Sequence, residues 1–270
     1  MEYETIMRAG GGRGWLLLVH GMLASRALWA PNLARLGAAH NLVLVDLPAH
    51  GATAAAGWGR GAGPETWHPD GMVARLDAIR AELGIARWAV CGQSFGAGLT
   101  VRYALHHPER VVAQVLTNAR TVFRDESDAA EQAARDVRAA RLRTEGRAAL
   151  RDERFHPRFA KRFPPELRER LSADADAMDL EGYARLLEWT LPQASLRERV
   201  RDCVVPSLLV NGRHERLFQP VREAMGGLWP ALEIVDLDGG HAVNIENPEG
   251  FDTAVLAFLA RQKWAGAGRG

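Results

Sequence analysis

The stretch WAVCGQSFGAGLTVRYALHH, residues 88–107, decides the fold. Its opening is mostly apolar with strand formers, its second half carries helical spacing, and the switch between the two periods falls at Ser94. Gly92 and Gly96 stand two residues to either side. A strand that turns straight into a helix folds its backbone back on itself and leaves no room for a Cβ at those two positions. The same turn pushes the Ser94 side chain out beyond the end of the sheet. It also aims the first amides of the helix, the positive end of its dipole, at the space the hydroxyl faces.

Outward from this unit the rhythm repeats. WLLLVH (15–20), NLVLVD (41–46), WAVCG (88–92), VVAQVL (111–116), PSLLVNG (206–212) and LEIVDL (232–237) read as strands. Their nearly unbroken hydrophobicity fits strands covered on both faces. Helical spacing follows over 25–36, 70–83, 95–107, 220–228 and 248–263. The alternation predicts an α/β fold, a mostly parallel central sheet flanked by helices. From 121 to 201 there is no strand pattern, and FPPELRER (163–170) offers a proline pair where a helix begins. This segment is expected to be an inserted helical cap on a core made of 1–120 and 202–270. Basic and acidic residues nearly balance there, so its charges are expected to solvate helix faces rather than hold an anion. The low-complexity pieces are GATAAAGWGRGAGPE (51–65) and the tail AGAGRG (265–270).

The 270 residues hold 34 Lys and Arg against 33 Asp and Glu, a formal net charge of +1. That balance argues against nucleic acid or a polybasic membrane contact. No apolar run approaches the roughly 18 residues a bilayer span needs. MEYETIMRAGGGRG (1–14) lacks the basic-then-apolar profile of a signal peptide, so a cytoplasmic location is expected. The two cysteines, Cys91 and Cys203, are expected to be buried free thiols rather than a disulfide.

A serine hydroxyl is a weak nucleophile until a base takes its proton and donors hold the developing oxyanion. Among nine histidines, His241 has the fitting setting. It sits in LDGGHAVNIENPEGF (237–251), at the C-terminal end of a strand, where α/β sheets place chemistry. His106 and His107 end a helix and complement its dipole. His20 reads as structural, while His50 and His156 are candidates to touch a ligand. The acid is expected after strand 206–212, in NGRHERLFQP (211–220), and Glu215 is the candidate. It would accept the His241 Nδ1 proton and leave Nε2 for Ser94; the alternative is a solvated glutamate paired with Arg213 or Arg216. The Phe95 N–H is one expected oxyanion donor. The other is the Met22 N–H in LLLVHGMLAS (16–25), where Gly21 lets the chain pass close to substrate. Gly21, Leu23, Phe123, Trp189 and Val243 are the expected substrate contacts, and Trp29, Trp67, Phe155 and Leu187 are further apolar candidates.

Together these motifs resemble the α/β-hydrolase fold family. VHGMLAS is similar to its oxyanion loop, DLPAHGAT to its strand-four turn, GQSFGAG to its nucleophile elbow, NGRHERLF to its acid loop and GGHAVNIENPEGF to its histidine loop. The resemblance implies an eight-stranded, mostly parallel sheet, although the short N-terminus leaves little room for the first two strands. Glu215 stands where aspartate is usual, Ala97 replaces a common glycine after the elbow, and Ala49 replaces the glycine of the DLPGHG pattern. Some members place the acid one strand earlier, a slot that here holds the neutral Asn118. A glutamate in an NGR loop is similar to some acyl-homoserine-lactone-hydrolysing members, which raises lactones among the substrates.

The expected function is a serine hydrolase that cleaves a small, mostly apolar ester or lactone through an acyl-enzyme on Ser94. It needs no metal or organic cofactor, and its partner is the small-molecule substrate, with a monomer or homodimer equally compatible. A carbon–carbon bond hydrolase or lyase on the same fold is the alternative, disfavoured because HGMLASRALW (20–29) lacks a Gly-rich oxyanion loop. A catalytically vestigial ligand-binding member is the other, disfavoured because it has no need of all three groups.

Overall fold

The strands are β1 (Tyr3–Ile6), β2 (Trp15–Val19), β3 (Asn41–Val45), β4 (Trp88–Gln93), β5 (Val111–Thr117), β6 (Ser207–Gly212) and β7 (Leu232–Leu237). They form one sheet in the order β1-β3-β2-β4-β5-β6-β7, with β1 antiparallel and every other pairing parallel. These coordinates are a computed structural model that describes residues 1–9, 14–124 and 129–264; the low-complexity tail lies outside the described residues. All six expected strands are present within about a residue of their expected ends. The unbroken hydrophobic runs have a simple cause. Leu17, Val19, Val90, Leu116 and Leu209 point into one core, while Leu16, Leu18, Cys91, Val115 and Val210 point into a second core on the other face. Alternation is present, but both faces are buried.

Strand β1 was not expected. It is an edge strand of partly exposed residues, so YETI carries no apolar run to read. The sheet therefore has seven strands among the described residues, where the resemblance implied eight. The helices that flank it are Pro69–Glu82, Phe95–His106, Gln219–Leu228 and Pro248–Ala260, all close to expectation. The helix expected over 25–36 is instead a 3-10 helix, Arg26–Asn32, followed by an α-helix, Leu33–Ala39. Pro31 lies inside the first and breaks regular α-helical bonding. Ser25 caps it by accepting from the Ala27 N–H at 3.1 Å.

Between β5 and β6 the described chain holds helices and turns without a strand. Its longer helices are Ala129–Glu145 and Pro165–Asp176, the latter beginning at the expected proline pair. The Ser25 hydroxyl donates to Asp174 at 2.6 Å, tying this segment to the loop after β2. Cys91 and Cys203 are free and buried, as expected. Among the described residues no helix is long and apolar enough to cross a membrane.

Candidate active site

Ser94 lies between β4 and the Phe95–His106 helix with φ 54° and ψ −116°, a region that side chains rarely enter. Its hydroxyl makes no capping bond to that helix, and its N–H donates to the Thr117 carbonyl at 2.9 Å. A Cβ on Gly92 would lie 2.5 Å from the Gly96 oxygen and Ala97 Cα. One on Gly96 would lie 2.4 Å from the Val19 and His20 carbonyl oxygens. The two glycines are thus required by backbone crowding on opposite sides of the turn.

His241 follows β7, and its Nδ1 lies 3.2 Å from Glu215 Oε2. The carboxylate side chain is 13% exposed. Burial alone would raise its pKa. The His241 hydrogen bond and charge, helped by the Leu217 N–H and Arg154, outweigh burial and hold it below the usual carboxylate range. Neighbours fix the histidine loop. Asn118 Nδ2 donates to the Gly240 carbonyl at 3.0 Å and to the His241 carbonyl. Gln93 Nε2 donates to the His241 carbonyl at 3.2 Å, and Glu246 accepts from the Gly240 N–H at 2.8 Å. Sequence reasoning registered Asn118 only as a neutral residue in an alternative acid slot. The structure gives it the task of clamping two carbonyls. Phe155 was missed as a neighbour of His241: its ring stacks on the imidazole with centroids 4.8 Å apart and planes 28° apart.

The loop after β2 is held by two buried imidazoles. In each the Nδ1 carries the proton, because it faces a carbonyl: Gly21 O at 2.7 Å for His20, Pro48 O at 2.7 Å for His50. The Nε2 atoms then accept, from the Leu47 N–H at 3.0 Å and the Leu23 N–H at 3.1 Å. Burial favours the neutral forms, lowering the His20 pKa and taking His50 down to about 3. His20 is structural, as expected. His50 does not touch a ligand-accessible space; it is fully buried and both nitrogens are used. Leu23, with φ 58°, is the strained residue that His50 supports.

Two cavities meet at this centre. One, about 260 Å³, is lined by Ser94, Phe95, Met22, Leu187 and His241 among others. The other, about 190 Å³, is lined mainly by apolar groups including Leu28, Phe159, Phe163 and Leu171, and His156 also borders it. Met22, Leu23, Phe155 and His241 border both. A Cβ on Gly21 would sit 3.0 Å from Ser94 Cβ, so the chain does run close there. Three expected substrate contacts are elsewhere. Phe123 and Val243 are buried in the two cores, packed away because each faces inward from its element. Trp189 borders a separate surface hollow with Pro64 and His68. Trp29 and Trp67 are core residues as well. The expectation that the 121–201 charges are solvated also fails in part. Arg124 and Arg135 have side chains only 17% and 7% exposed and line the Ser94 cavity, together with Arg120 and Arg138.

Comparison with known proteins agrees with the fold. The alpha/beta hydrolase fold family matches the chain over residues 14–248. The 3-oxoadipate enol-lactonase 2 of Acinetobacter baylyi is 26% identical over 271 residues, covering 97% of this chain and 93% of its own. The crystal structure of the enol-lactonase from Burkholderia xenovorans LB400 superposes with a TM-score of 0.76 at 26% identity, covering 96% of each chain. MenH from S. aureus superposes with a TM-score of 0.83 at 20% identity over 96% of this chain and 97% of its own, a likeness of fold.

Proposed function

The chain belongs to the alpha/beta hydrolase fold family, and on that premise we propose that it is a serine hydrolase cleaving a small carboxylic ester or lactone. The observation that carries the reading is the His241–Glu215 pair, 3.2 Å apart, with His241 lining the cavity that holds Ser94. Esterase and lactonase relatives at 26% identity support the same class of reaction. In this reading the segment 121–201 caps a core of 1–120 and 202–270.

Ser94 attacks the substrate carbonyl while His241 Nε2 takes its proton. Glu215, kept ionised, receives the Nδ1–H and steadies the imidazolium. The Phe95 and Met22 amides hold the tetrahedral oxyanion. The C–O bond then breaks as His241 returns the proton to the leaving alkoxide. Water, deprotonated by the same imidazole, attacks the acyl-enzyme. The bond to Ser94 Oγ then breaks as the imidazolium returns the proton to that oxygen and the acid leaves. The strained Ser94 backbone is consistent with this role, since it keeps the hydroxyl out of the helix cap.

The test is direct. A fluorophosphonate probe should label the wild type at Ser94, and Ser94→Ala should lose about a thousandfold or more in kcat on 4-nitrophenyl butyrate. Undiminished turnover by Ser94→Ala removes the reading.

A further inference from the structure

The cavity that holds Ser94 has one strongly charged wall. Arg120, Arg124, Arg135 and Arg138 line it, against Glu131 and Glu153. Glu131 is shared among three of the guanidiniums, at 3.1 Å from Arg120, 2.7 Å from Arg124 and 3.4 Å from Arg135. Glu153 pairs with Arg138 through two contacts. Four cations thus face two anions among the described lining residues. Polar hydrogens are left over: Arg135 Nε and Arg124 Nη1 are buried and have no hydrogen-bond acceptor among the described residues.

A buried guanidinium with unused donors is costly, because water has been removed and nothing replaces it. Such a wall is stabilised when an anion arrives to complete it. We propose that the substrate carries a carboxylate group, seated among Arg120, Arg124, Arg135 and Arg138 while its ester or lactone carbonyl lies at Ser94. This rests on the hydrolase reading above and sharpens its substrate class. Guanidinium forks match a planar carboxylate through paired hydrogen bonds, and Arg135, nine-tenths buried, supplies a fixed donor. The Arg124 pKa supports the charge count. Burial lowers it first, and Arg135, Arg120 and Arg138 lower it further against the pull of Glu131. The apolar cavity, which shares Met22, Leu23, Phe155 and His241 with this one, then suits the uncharged arm of the same substrate.

The experiment pairs each anionic ester with a neutral counterpart at fixed ionic strength. Monomethyl glutarate is compared with methyl pentanoate, placing the charge on the acyl side, and 3-acetoxybenzoate with phenyl acetate, placing it on the leaving group. At least one anionic ester should exceed its counterpart by about tenfold or more in kcat/KM, mostly through KM. Arg124→Gln and Arg135→Met should each bring that ratio toward one, and Arg124→Lys should restore part of it. Circular dichroism checks that the variants fold. Neutral esters turned over as well as anionic ones, or a ratio untouched by both arginine substitutions, overturns the proposal.

Failure of the hydrolase reading looks different: no ester is cleaved and Ser94 is not labelled. Calorimetric titration of glutarate then decides the carboxylate site. Binding to the wild type that is lost in Arg124→Gln supports it, and no binding overturns it. Inorganic phosphate competing as well as glutarate would reassign the wall to phosphate and also overturn it.

Discussion

Glu215 is one methylene longer than the aspartate usual in its slot, and its Oε2 reaches His241 Nδ1 while the carboxylate stays mostly buried. A neutral amide of the same shape can present a donor where His241 needs an acceptor, favouring the wrong tautomer. Glu215→Gln should therefore lower kcat by about a hundredfold to ten-thousandfold on a short ester, with the thermal midpoint little changed. A fall of less than threefold would release Glu215 from the orienting role. That Ser94, His241 and Glu215 stand in turns at strand ends was legible because each sits in a short local pattern after a strand. The stacking of Phe155 on His241 was not, although Phe155 was among the apolar candidates, since nothing near it in sequence marks what it touches. Phe155 is 47% exposed yet stacks on His241, and it borders both cavities. Phe155→Ala should cut kcat/KM by about threefold to tenfold, the scale of one lost ring stack, while leaving the midpoint within about two degrees.

The turn from β4 into its helix shows how far local crowding, rather than propensity, fixes an element. Gly96→Ala would force a methyl to within 2.4 Å of two backbone oxygens of β2 and its loop, which cannot move without breaking the sheet. It should destabilise by about 3 kcal/mol and lower the midpoint by several degrees. Gly226 lies in the Gln219–Leu228 helix with open space around it, so Gly226→Ala should instead stabilise by up to about 1 kcal/mol. Thermal melts of the two variants side by side check both signs. The same contrast explains which elements could be read. Strands buried on both faces announce themselves, and so do helices that begin at Pro69 or Pro248. β1 at an edge does not. Nor do the short helices Gly51–Ala55 and Pro64–Trp67, which lie in a glycine-rich stretch that reads as a loop and are held by tertiary contacts such as the Ala52 N–H to Asp46.

At the scale of the molecule, the arginine wall escaped the sequence because charge balance along a segment says nothing about which face turns inward. Only the folding of the helical segment, which turns some arginines toward the Ser94 cavity, separates the buried ones from the solvated ones. Burial of ionisable groups also sets how the whole fold responds to acid. His20, His50, His106 and His156 all have pKa values lowered, in each case chiefly by burial. A group depressed in this way binds fewer protons folded than unfolded, so its contribution is complete above the unfolded value and shrinks as pH falls. For His50 the window runs from 6.5 down to about 3. Asp252 opposes this weakly. Burial raises its carboxyl to about 6, so its own contribution fades as pH rises from 3.8 through that value. Four histidines outweigh one aspartate, and the melting midpoint should fall steadily as the pH drops below about 6.5. His50→Gln keeps an acceptor for the Leu23 N–H but cannot be protonated. Its midpoint should start somewhat lower than wild type and decline more gently between pH 6.5 and 5, so that the two curves converge. Parallel curves in scanning calorimetry would show that the protonation cost lies elsewhere than in the imidazole that holds the loop beside Ser94.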